Sequence, residues 1–68
     1  MPERLANLLK ERRAELGLTQ AELAEKVGVT RKTVNTVENG VFTPSATLAI
    51  KLAQALGISV EQLFWIER

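Results

Sequence analysis

The chain has 68 residues, of which 46% are hydrophobic and 25% charged, the balance of one small folded domain spanning residues 1–68. It contains no cysteine, histidine, aspartate or tyrosine, which removes disulfides, thiol nucleophiles, the usual zinc ligands and the commonest general base. With a net charge of +1 and no apolar run near the ~18 residues that cross a bilayer, the expectation is a cytoplasmic binding module. No enzyme activity, metal, cofactor, small-molecule ligand or membrane is expected of it.

Charge is distributed unevenly, but only mildly. Residues 1–34 carry Arg4, Lys10, Arg12, Arg13, Lys26, Arg31 and Lys32 against five glutamates, and residues 35–68 are slightly acidic. No partner follows from that alone. Size is the stronger constraint: below ~70–80 residues one core rarely supplies more than ~3–5 kcal/mol, so a second copy would usefully share the load.

The elements read as five short helices. Pro2 suits a first helical turn, and Leu5, Leu8, Leu9 and Leu16 share one stripe at about 100° per residue, so a first helix is expected up to Gly17. Thr19 can cap the second helix, with Glu22 returning the bond and Leu18 stapling to Leu23. The same grammar recurs at Val29-Thr30 with Val34, and at Ile58-Ser59 with Gln62 and Leu63. Gly28, Asn39-Gly40 and Gly57 follow apolar helical runs and serve as stops. Residues 41–44 form a loop, and Ser45 caps a fourth helix carrying Leu48, Ile50, Leu52, Ala53 and Leu56. The expected class is all-α, a compact five-helix domain with room for a short extended segment at its C-terminal end.

The short connection between helices 2 and 3 is the most informative. From Gln20 to Asn39 the sequence is QAELAEKVGVTRKTVNTVEN, with Leu23, Val27, Val29, Val34 and Val37 at its fourth, eighth, tenth, fifteenth and eighteenth places. Two helices meeting steeply need a small residue at the crossing, which suits Ala24, and a tight turn tolerating positive φ, which suits Gly28. On helix 3, Val34 and Val37 point inward, whereas Arg31, Lys32, Asn35, Thr36 and Asn39 lie outward and Glu38 lies towards the inner face. A face free of carboxylates suits a surface that meets phosphates.

At this point GLTQAELAEKVGVTRKTVNTVENG followed by PSATLAIKLAQALGISVEQLF resembles the phage Cro/repressor-like (Xre-type) helix-turn-helix family over nearly the whole chain. The resemblance implies a five-helix domain of the lambda-repressor-like type, with its helix-turn-helix at about 19–39, binding double-stranded operator DNA as a dimer on an inverted repeat. It implies base reading by Arg31, Lys32 and Thr36, with Asn35 beside them, and phosphate contact by Gln20 and Asn39. Thr19, Thr30 and Thr33 are further phosphate candidates, and Thr33 and Asn35 suit either task. Arg and Lys favour guanine O6 and N7, so a G-containing half-site is expected. Arg13 and Glu38 match positions that form a structural ion pair. Arg12 departs from the pattern, standing where an aliphatic residue is usual; snorkelling over the core, a phosphate contact and a dimer contact all fit it.

The C-terminal end carries Leu63, Phe64, Trp65 and Ile66 together. Such a payload needs burial, either in its own core or in a self-complementary contact between copies formed by residues of about 59–68. The dimer contact, including a paired strand, is the favoured expectation. The corresponding function is a dimeric repressor; an antitoxin-type regulator and a protein-interaction module on the same fold are the alternatives.

Overall fold

The structure, a computed structural model, describes residues 3–68, so the expected helix start at Pro2 lies outside the described residues. Five helices follow in chain order: α1 (Leu9–Glu15), α2 (Gln20–Val27), α3 (Arg31–Glu38), α4 (Ala46–Leu56) and α5 (Val60–Leu63). Two short strands, β1 (Arg4–Asn7) and β2 (Phe64–Glu67), flank them and pair antiparallel, with Arg4 opposite Glu67 and Asn7 opposite Phe64. The helical class stands, with the extended C-terminal segment present.

The start of the chain corrects the expected first helix. Arg4–Asn7 is a strand, and α1 begins only at Leu9, where the Asn7 Oδ1 accepts the Leu9 amide at 3.0 Å. Leu8 and Leu16, placed on the buried stripe by periodicity, are 41% and 45% exposed, whereas Leu9 is fully buried. Pairing across the chain ends overrides local helix propensity here, and the Leu8 amide continues the ladder to the Leu63 carbonyl at 3.0 Å.

Capping proceeds as the residue order dictates. Thr19 and Glu22 close a reciprocal capping box, as do Ser59 and Gln62, while Thr30 and Ser45 each accept an amide of their own first turn. At the other end of α2, Gly28 adopts φ 76°, and the Val29 amide reaches back to the Ala24 carbonyl at 3.0 Å. A side chain at that φ would be strained, so this glycine sets the tight α2–α3 turn.

Leu9, Leu23, Val34, Val37, Leu52, Leu56 and Leu63 form the fully buried centre, with Ala24 and Phe64 beside them. Ala24 is buried, and its carbonyl accepts the Val29 amide in the α2–α3 turn. Arg12 Nε donates to the Leu56 carbonyl at 2.9 Å, satisfying an orphan acceptor at the C-terminal end of α4, while its Nη1 lies 3.9 Å from Glu15 Oε1. Arg12→Met is therefore expected to lower stability by about 1 kcal/mol in chemical denaturation, despite its equal apolar bulk.

The Glu22 carboxylate accepts the Thr19 amide at 2.8 Å, and this bond, followed by the Thr19 hydroxyl's contribution, holds its pKa below the ordinary carboxylate range. A carboxyl whose pKa is lower folded than unfolded stabilises the fold above its unfolded pKa and loses that contribution as pH falls through the folded value. Glu22→Gln is thus expected to flatten the acid limb of the stability–pH curve while leaving its shape above neutrality unchanged.

Candidate nucleic-acid interface

The outward face of α3 begins with its cap. Thr30 accepts the Thr33 amide at 3.2 Å, and the two hydroxyls lie 3.0 Å apart, which fixes the first turn and projects Arg31 and Lys32 from it. Arg31, Lys32, Asn35 and Asn39 are exposed, and Thr33 and Thr36 are half-buried. Gln20, Arg31, Lys32 and Asn35 together line one depression of about 360 Å³ between the start of α2 and the face of α3. Among the described residues no ion pair engages Arg31 or Lys32, and the first turn of α3 holds no acid. Both cations are thus available to an anionic partner.

The only carboxylate on α3 is Glu38, and it is turned inward. Its side chain is 4% exposed and accepts Arg13 Nε at 2.8 Å, Arg13 Nη2 at 3.4 Å and Gln20 Nε2 at 3.1 Å. Arg13 also donates through Nη1 to the Leu18 carbonyl at 2.9 Å. One carboxylate thereby ties together α1, the turn after it, the first residue of α2 and the end of α3. The expected Arg13–Glu38 pair is formed, and it removes negative charge from the outward face. Gln20 joins this network with one N–H of its side-chain amide, which keeps a second N–H donor, and its backbone N–H lies at the open end of α2.

Two more features adjust the sequence-based roles. The Thr36 hydroxyl donates to the Thr33 carbonyl at 2.9 Å, so Thr36 offers a methyl group rather than a free hydroxyl donor. Asn39 Nδ2 donates to Asn35 Oδ1 at 3.3 Å, which joins these two outward amides and leaves Asn35 its own N–H donors.

Asn7 escaped the sequence reading altogether. Its Nδ2 donates to the Val37 carbonyl at 3.1 Å and lies 3.5 Å from that of Glu38, anchoring the C-terminal turn of α3 to the β1–α1 junction. Asparagine before a helix is a recognised start signal, but it was hidden inside a helix expected to run through it.

The C-terminal group divides. Leu63 is fully buried and Phe64 is 7% exposed, both within this chain's own core, so they are not surface for a second copy. The strand partner of this segment is β1 of the same chain rather than another protomer. Trp65 and Ile66 remain outside, 40% and 54% exposed. Alternation along the strand turns Trp65 away from the face that Phe64 presents to the core, while Ile66 shares the Phe64 face, opposite Leu5.

A family model described as "Helix-turn-helix" matches residues 9–63. The chain belongs to the Cro/repressor-like helix-turn-helix family of DNA-binding transcriptional regulators, not to an enzyme family. It is 44% identical over 63 residues to the HTH-type transcriptional regulator YgzD of Bacillus subtilis, covering 93% of this chain and 96% of that protein. Among solved structures, the restriction-modification controller protein C.AhdI of Aeromonas hydrophila matches with a TM-score of 0.75 at 39% identity, covering 79% of this chain and 78% of that one. The P22 c2 repressor in complex with a synthetic operator matches with a TM-score of 0.76 at 28% identity, covering 78% of this chain and 80% of that one. No described helix is long and apolar enough to cross a membrane.

Proposed function

We propose that this protein is a cytoplasmic, sequence-specific transcriptional repressor that acts as a homodimer, laying α3 in the major groove at each half of an inverted repeat. The observation that carries the reading is the outward face of α3, where Arg31 and Lys32 stand at the first turn with no ion-pair partner among the described residues while the helix's one acid is drawn inward by Arg13 and Gln20. Arg31 and Lys32 reach base edges, guanine first, and Asn35 reads beside them with its amide donors. Thr36 contributes apolar contact. The backbone at Gln20, the hydroxyls of Thr19, Thr30 and Thr33, and Asn39 hold the flanking phosphates and set the register of the helix. Residues 1–68 act as a single DNA-binding unit, and repression follows from occlusion of the promoter. The P22 c2 repressor, solved in complex with a synthetic operator, supports operator DNA as the partner.

The contact between copies uses Trp65 and Ile66 on β2, which among the described residues pairs only with β1. Trp65→Ala is expected to abolish concentration-dependent dimer mass in light scattering while leaving helicity intact. A wild-type chain that stays monomeric at high concentration contradicts the homodimer.

The test of the whole reading is selection of bound fragments from a random DNA pool at about 150 mM salt, where non-specific binding is weak. An inverted repeat with half-sites about one helical turn apart is the expected outcome. A pool left without enrichment overturns sequence-specific regulation.

A further inference from the structure

We infer that Thr36, Val41 and Phe42 form an apolar reader for the 5-methyl group of a thymine in each half-site. This rests on the DNA-binding function proposed above and adds to it a base identity and two residues outside α3. Val41 and Phe42 are bulky apolar side chains in the loop after α3, yet 78% and 48% exposed. With Lys32, Thr33 and Thr36 they line a depression of about 330 Å³ beside the base-reading residues. The loop is held there by two hydrogen bonds, because the amides of Val41 and Phe42 both donate to the Thr36 carbonyl, at 2.9 and 3.2 Å. The Thr36 hydroxyl proton is taken by the Thr33 carbonyl, so the side chain has no free donor and presents its methyl group and an acceptor oxygen.

The occupant follows from chemistry and continuity. Lys32 belongs to this depression and to the one formed with Gln20, Arg31 and Asn35, so the two are parts of one surface. No acid lines either. In the major groove the one base group that seeks an apolar contact is the thymine C5-methyl, which pairs with threonine methyls and phenylalanine rings. An ordered apolar loop beside two cations therefore suits a thymine next to the guanine read by Arg31 or Lys32.

Exchange of single thymines for deoxyuridine, which lacks only the methyl, tests this on the duplex selected from the random pool. One thymine per half-site is expected to show about fourfold weaker binding on exchange, the effect of burying one methyl group. The Val41→Ala/Phe42→Ala double variant, whose exposed positions leave the fold intact, should bind the thymine and uracil duplexes within roughly twofold of each other, since the large apolar side chains are gone and only the Thr36 methyl remains of the contact. Wild-type binding indifferent to every exchange, or an exchange effect equal in the variant, overturns the inference while leaving the DNA-binding function standing. A variant weakened equally on both duplexes, in step with loss of dimer mass, assigns the loop to contact between copies instead. Failure of the wild type to select any site removes both the function and this reader.

Discussion

Glu38→Ala is expected to leave the chain largely unfolded at room temperature. Glu38 is nearly inaccessible and receives Arg13 in a forked contact and Gln20 through its amide. Removing the carboxylate strands a largely buried guanidinium, a change that costs about 3–5 kcal/mol. A domain of this size with no disulfide or metal has roughly that much stability in total. Urea denaturation followed by circular dichroism checks the loss, and Glu38→Gln, which keeps an acceptor for Arg13, should recover part of it. The intact pair contributes far less than its removal costs; its role is to fix α3 against α1 and α2.

Arg31→Ala produces the opposite signature: unchanged folding and weakened recognition. Arg31 is exposed in the first turn of α3, and no described ion pair engages it, so its loss should move stability by no more than about 0.5 kcal/mol. A bidentate contact to guanine is worth about 1–3 kcal/mol, so affinity for the selected site should fall by about 5- to 150-fold per contact. Preference at one base pair in each half-site should relax with it. Lys51→Ala and Lys26→Ala, which change a different depression lined also by Gln54, should leave that preference untouched. Competition titrations with single-base variants of the site distinguish these outcomes.

How much of this was legible in the sequence depended on how local each determinant is. The caps at Thr19, Thr30, Ser45 and Ser59, and the stops at Gly28 and Gly57, are decided within six residues and were readable from residue order. The inward turn of Glu38 followed from helical periodicity together with the family resemblance, and the structure shows the pair with Arg13. Arg4–Asn7 was not legible as a strand, because leucine and alanine favour a helix and the partner Phe64–Glu67 lies some sixty residues away. Leu63, the last residue of α5, and Phe64 pack into the core, while Trp65 is turned to the opposite face of the strand. Arg12 looked like a misplaced charge until the C-terminal carbonyl of α4 came beside it. Gln20 and Thr36 showed their types in the sequence but not their engagements. Those depend on Glu38 and on the Thr33 carbonyl, which engage one Gln20 amide N–H and the Thr36 hydroxyl proton.

The central claim is that DNA is met by the outward face of α3. Amide chemical-shift mapping of the labelled chain, titrated with its selected duplex, tests this most directly. The prediction is that the largest changes fall on residues 30–39, on Gln20 and on Phe42, with Lys26, Lys51 and Gln54 nearly unmoved. Changes concentrated on Lys26, Lys51 and Gln54, with residues 30–39 silent, would contradict it and place the DNA on the other face of the domain.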